Sequence, residues 1–232
     1  LDIWDNHIGV EGANAIVNAA PTQMRTLCGD MFEEGQTEAD LSGKKLGPEG
    51  AILVAWDLRA GFVSSSMNKL NVLSNSIGDE GYEILTKVAE EKGILTLVGF
   101  DEGQTEADLS NKRLGPIDAK LIARELTTGF VSSSMKKLII FKNNLGDEGI
   151  GIITSAVQGK EISLCGAEPG QTELDLSKQG LGPDDAKIIA WELSAGFFSS
   201  SMNKLNVLSN YIDTEGGQAL VDAAPPQLQT FC

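Results

Sequence analysis

The chain has 232 residues, with 41% apolar residues, 18 Lys plus Arg against 33 Asp plus Glu, and a net charge of −15. That balance argues against nucleic acid and against an anionic membrane surface as partners. No apolar run approaches the roughly 18 residues that a spanning helix needs, and no signal peptide is visible.

The chain opens inside a repeat. Met67-Asn-Lys-Leu-Asn-Val-Leu-Ser-Asn75 returns letter for letter as 202–210, and a looser copy runs Met135-Lys-Lys-Leu-Ile-Ile-Phe-Lys-Asn143. Leu1-Asp-Ile-Trp-Asp-Asn6 is part of a fourth. Gly35-Gln-Thr-Glu-Ala-Asp-Leu-Ser42 recurs at 103–110 and, with one change, at 170–177. The long period is therefore about 68 residues and holds two segments. Segment A covers 35–66, 103–134 and 170–201. Segment B covers 1–34, 67–102, 135–169 and 202–232. B varies in length and A does not, so insertions fall at the B-to-A junction.

Within B the pattern is apolar-x-x-Leu-x-apolar-x-x-Asn-x-apolar-Gly. The alternation at Leu70 and Val72 predicts a strand. A chain turning out of a strand leaves backbone groups unpaired, and an asparagine side chain offers both donor and acceptor to them. Asn6, Asn75, Asn143 and Asn210 then form a ladder. A helix follows: Gly78-Asp79-Glu80-Gly81 puts acids in the first turn, where the helix dipole favours them, and Tyr82, Leu85, Val88 and Ala89 fall on one face. In A, Leu46-Gly47-Pro48 places proline at the first helical position. Ile52, Ala55 and Leu58 follow at helical spacing, and Gly61, Gly129 and Gly196 end these helices.

Leu70-Asn-Val-Leu-Ser-Asn-Ser-Ile-Gly-Asp-Glu-Gly81 and Leu138-Ile-Ile-Phe-Lys-Asn-Asn-Leu-Gly-Asp-Glu-Gly149 resemble leucine-rich-repeat proteins of the ribonuclease-inhibitor-like class. The A segments depart from that pattern, with Ala39 or Ala107 in place of leucine and Lys44, Lys112 or Gln179 in place of asparagine. Their wording, Thr-Glu-Ala-Asp-Leu-Ser and Leu-Gly-Pro, is similar to repeats of unicellular algal leucine-rich-repeat proteins. The resemblance implies an α/β fold, a curved leucine-rich-repeat solenoid with parallel strands on its concave face and helices on its convex face. Residues 1–232 would form one array of about seven coils, a fragment of a longer one. The extra stretch Leu95-Thr-Leu-Val-Gly99 either pairs with residues 105–110 as a hairpin or is itself the parallel strand.

Catalysis has little support. His7 stands where the other copies have Ser76, Asn144 and Tyr211, and reads as a surface turn residue. No Cys–His or Ser–His–Asp constellation accompanies it. Asp79/Glu80 and Asp147/Glu148 read as helix-start charges rather than metal ligands, and no cofactor motif is present. The serine triplets 64–66, 132–134 and 199–201 read as tight turns. Cys28, Cys165 and Cys232 share one repeat position; an odd number makes a poor disulfide framework. Buried free thiols fit better, and with the absence of an Asn-X-Ser/Thr sequon they point to an intracellular, reducing compartment.

On a strand, alternate residues face opposite sides. Extending the alternation from Leu70 and Val72 puts Leu73 outward, with Trp4, Phe141 and Leu208 at the same place and Ile139 beside them. In A the outward residues are Asp40, Asp108 and Asp175. An apolar row alternating with acids predicts a non-enzymatic scaffold that binds a protein partner on this face. The other reading is a structural or peripheral subunit of a larger complex, held by its ends or its helices.

Overall fold

The computed structural model describes residues 3, 6–60, 67–128, 131–195 and 201–232. Trp4, Gly61, Gly129, Gly196 and the serines at 64–66, 199 and 200 lie outside the described residues. Two compact units divide the chain, Leu1–Asp101 and Glu102–Cys232.

The first unit contains α1 (Gly9–Ala19), a single 3-10 turn (Gly29–Met31), β1 (Glu38–Asp40), α2 (Pro48–Ala60), β2 (Lys69–Asn71) and α3 (Gly78–Lys92). The second contains β3 (Glu106–Asp108), α4 (Pro116–Thr128), β4 (Lys137–Ile139), α5 (Gly146–Val157), β5 (Glu173–Asp175), α6 (Pro183–Ser194), β6 (Lys204–Asn206), α7 (Thr214–Ala223) and β7 (Thr230–Phe231). Short strands alternate with helices, as the sequence predicts. Every A helix begins at its proline, whose missing N–H costs nothing in the first turn.

Each A strand pairs in parallel with the B strand that follows it. The registers are Glu38↔Lys69, Ala39↔Leu70 and Asp40↔Asn71, then Glu106↔Lys137 through Asp108↔Ile139, then Glu173↔Lys204 through Asp175↔Asn206. Residues 95–99 supply a further strand position beside B, with a parallel bridge at Lys69–Thr96 and an antiparallel one at Asn71–Val98. Lys69 bridges Thr96, the Leu70 amide donates to the Thr96 carbonyl at 3.0 Å, and the Val72 amide donates to the Leu97 carbonyl at 3.0 Å. In the next copy Lys137 bridges Ser163, and in the last the equivalent residues, Thr230 and Phe231, form β7 against β6. A 68-residue period thus carries two helices but three strand positions.

The core repeats as the sequence does. The central strand residues Leu70, Leu138 and Leu205 are fully buried, as are Leu46, Leu114 and Leu181 just before the A helices. On α3, Leu85, Val88 and Ala89 are buried. Gly81 on α3, Gly149 on α5 and Gly216 on α7 face Ala51 on α2, Ala119 on α4 and Ala186 on α6, so small residues set the approach of each B helix to the preceding A helix.

The asparagines do more than hold their own turn. Asn75 donates to the Val72 carbonyl at 2.9 Å but also to Leu41 at 2.8 Å in the preceding A segment, while its Oδ1 accepts from the Leu46 amide at 2.9 Å. Asn143 makes the same set: its Nδ2 donates to Leu109 and Ile140, and its Oδ1 accepts from Lys112 and Leu114. Asn210 does likewise toward Leu176, Val207, Gln179 and Leu181. One asparagine satisfies two turns, which explains why A has Lys44, Lys112 or Gln179 at its own equivalent position. Asn6 is exposed.

A second set of polar residues sits on the A helices. Asp57, Glu125 and Glu192 occupy one repeat position and are each 0% exposed. The Asp57 carboxylate takes the Leu27 amide on Oδ1 (2.7 Å), and the Thr26 hydroxyl (2.6 Å) and Cys28 amide (3.1 Å) on Oδ2. Glu192 Oε2 takes the Leu164 amide at 3.0 Å and the Cys165 amide at 2.8 Å. The three cysteines are free; Cys28 and Cys165 are buried, whereas Cys232, expected to be buried, is exposed.

Candidate functional site

The strand face of each unit presents the residues that flank the buried centre of each strand. In the first unit these are Glu38 and Asp40 from β1, and Lys69 and Asn71 from β2, around the buried Ala39 and Leu70. They line a shallow groove of about 450 Å³ together with Gly99. Gly99 adopts φ +82°, and a Cβ there would come within 3.0 Å of the Asn71 Cβ. In the second unit Gly166, at φ +83°, similarly lies under Ile139. A glycine is needed at both places for its positive φ and for the close approach.

Register converts sequence spacing into ion pairs. Lys69 stands 3.8 Å from Glu38 and 2.5 Å from Asp101. Lys137 stands 3.7 Å from Glu106 and also pairs with Glu168, and Lys204 stands 3.1 Å from Glu173. The Asp101 carboxylate, with Glu38 behind it, holds the Lys69 ammonium above its ordinary value; Glu168 and Glu106 do the same for Lys137. Sequence reasoning missed these pairs. The signal was present: Lys204 follows Glu173 by 31 residues, and the same spacing links Glu38 to Lys69 and Glu106 to Lys137.

Asp40, Asp108 and Asp175 are exposed and stand at the ends of the A strands. Each Oδ1 accepts the amide two residues on, from Ser42, Ser110 and Ser177, at 2.9 Å. Such a turn bends the chain out of the strand. Hydrogen bonds from Ser110 hold the Asp108 carboxyl below its usual range, with Lys112 and Lys142 adding to the effect, and Ser177 does the same for Asp175. Asn71 and Asn206 turn the B strands alike, accepting from Leu73 and Leu208 at 3.1 Å.

Where the strands end corrects the expected apolar row. The strands end at Asn71 and Ile139, so the two-residue alternation does not reach Leu73 or Phe141, and both are only 3% exposed. Leu208 follows β6 through the same turn and is 56% exposed. Ile139 is half-buried on the strand face. The site expected from the sequence is therefore reduced, among the described residues, to Asp40, Asp108, Asp175 and Ile139 on the strand faces, with Leu208 beyond the end of β6.

Elsewhere, His7 is exposed, with φ 25°. The Ser134 hydroxyl donates to the Gln104 carbonyl at 2.9 Å. Among the described residues, no group of three or more His, Cys, Asp and Glu side chains could hold a metal ion, and no helix is long and apolar enough to cross a membrane.

Residues 131–151, which include β4, Asn143 and the start of α5, match a family model described as "Leucine Rich repeat". No curated protein matches the chain. The family match, with the alternation of helices and short parallel strands, supports a leucine-rich-repeat protein of α/β repeat fold.

Proposed function

We propose that the chain is a non-enzymatic protein-binding scaffold, one array over residues 1–232, that engages its partner through the strand faces. The observation that carries this reading is a repeated outward pattern. Glu38/Asp40, Glu106/Asp108 and Glu173/Asp175 sit exposed on the A strands, each pair beside one lysine of the B strand. With Asp101 and Glu168 the acids outnumber the lysines, so a partner segment carrying Lys or Arg complements the face. Asp40, Asp108 and Asp175 supply charge, and Ile139 and Leu208 supply apolar contact.

The test compares partner capture by the wild-type chain with capture by two triple variants. Asp40→Asn/Asp108→Asn/Asp175→Asn keeps the oxygen that accepts the turn amide and removes the charge. Glu38→Lys/Glu106→Lys/Glu173→Lys reverses the outer row. Salt-sensitive capture that both variants lose, with unchanged circular dichroism, supports the reading. Undiminished capture by both turns attention to the helices and to a structural role in a larger assembly.

A further inference from the structure

Asp57 and Glu192 hold equivalent seams in different ways. Both are completely buried carboxylates on A helices that accept backbone amides from the end of the preceding B segment. Asp57 receives donors on both oxygens. Glu192 receives both of its amides on Oε2, and among the described residues Oε1 has no donor in hydrogen-bonding geometry. A buried charge with half of its acceptor capacity unanswered is costly.

A second carboxylate fastens the same helix to the same B segment. Asp185 at the start of α6 is 3% exposed; its Oδ1 accepts the Lys142 amide at 2.7 Å and its Oδ2 the Gly182 amide at 2.8 Å. A cleft of about 330 Å³ opens along this seam, between Val157, Lys160 and Ile162 on one side and Trp191 and Ala195 on the other.

We propose that the seam joining residues 135–169 to α6 is an acid-tightening joint, in which Glu192 takes up a proton as the joint closes. Burial pushes the Glu192 carboxyl up, and that of the fully donated Asp185 as well. For Glu192, Cys165 and Ser163 pull the other way and do not overcome the burial. For Asp185, the two amides oppose the shift, Asp184 adds like charge, and Lys142 offsets it. The Cys165 thiol is itself pushed well up by burial and by Glu192, so it stays neutral. The remaining charges at the seam are engaged elsewhere: Asp147 and Glu215 pair with Lys187 at 2.7 and 3.2 Å, and Lys160 donates to the Leu126 carbonyl. Glu161 lines the cleft.

The direction follows from linkage. An opened joint returns the Glu192 carboxyl to water, where it titrates near pH 4. The closed joint holds its proton at higher pH, so protonation favours closure. The added stability is fully present below the ordinary carboxylate value and is lost as pH rises through the raised value.

Native-state hydrogen exchange on the full chain tests this, with rates corrected for intrinsic exchange and read at pH 7.5 and 5.5. The amides of Leu164 and Cys165 should gain protection on acidification, by up to about tenfold per pH unit for the proton taken up. The Leu27 and Cys28 amides, held by the fully donated Asp57, serve as the reference and should change less. Glu192→Gln keeps an acceptor for the two amides and removes the charge, so it should raise protection of Leu164 and Cys165 at pH 7.5 and flatten their pH dependence. Should that variant fold poorly, the wild-type chain carries the test alone, with the pH dependence of Leu164 and Cys165 read against that of Leu27 and Cys28. Protection at Leu164 and Cys165 that stays level or falls at pH 5.5 overturns the proposal.

Discussion

Gly81 of α3 lies against Ala51 of α2 so closely that a Cβ on the glycine would stand 2.9 Å from the alanine Cβ and 2.8 Å from the Ile77 Cβ. Real Cβ atoms do not approach so closely, so the helices must part to admit a methyl group. Gly81→Ala should destabilise the chain by ~1–3 kcal/mol, despite the higher helix propensity of alanine. Gly149→Ala should cost less, because its Cβ would meet Ala119 at 3.3 Å and Leu145 at 3.1 Å. Denaturant midpoints of the two variants against wild type measure the order.

Asn143 is 9% exposed and joins two turns. Asn143→Ala leaves the Lys112 and Leu114 amides and the Leu109 and Ile140 carbonyls without the partner they have now. The expected loss is about 3 kcal/mol or more, since each buried polar group left unpaired costs roughly 1–3 kcal/mol. Hydrogen exchange should show Lys112 and Leu114 opening together with the B turn, which separates a shared fastener from a purely local one.

Phe141 and Leu208 occupy one repeat position with opposite surroundings. Phe141→Ala should destabilise by ~3–5 kcal/mol, as truncation of a buried aromatic does. Leu208→Glu should change stability by no more than about 0.5 kcal/mol. Thermal melts of the two variants check the contrast. A Phe141 substitution therefore reports on folding, and Leu208 is the apolar position at which a binding variant can be read cleanly.

Cys232 is exposed while Cys28 and Cys165 are buried. A maleimide reagent should modify one thiol in the native chain and all three after denaturation, counted by intact mass. Rapid native labelling of Cys165 would contradict the closed seam at α6.

Asp108 is held below the usual carboxylate range by Ser110. Its contribution is present above the ordinary aspartate value near 3.9 and is lost as pH falls through the lowered value. Asp108→Asn keeps the turn acceptor, so the stability difference from wild type should shrink and vanish in strong acid. Urea midpoints at several pH values follow it.

The repeat period, the strands, the helix starts and the turn-holding asparagines at 75, 143 and 210 were legible because each rests on a short pattern with a local cause. Leu70, Val72 and Asn75 announce a strand and a turn without reference to anything distant. The outward row was not legible, since it depended on where the strand stops. Leu73 has the right parity for the outer face but follows an Asx turn at Asn71 that breaks the alternation. The additional strand position at residues 95–99 was visible as a short apolar stretch, yet its partner is set by register across the sheet. The buried acids Asp57 and Glu192 were not legible, because the amides they accept lie about 30 residues away in sequence.

The sharing of one asparagine between two turns has a bearing on how such a chain can grow. An A segment copied without its B would arrive with an unserved turn, and a B segment copied alone would carry an asparagine with half its clients missing. Insertion or loss of a single coil is therefore penalised, while gain or loss of a whole pair leaves every turn attended. Lineages descended from this sequence should differ in length by multiples of about 68 residues, and engineered versions should be cut and spliced only at the B-to-A junctions.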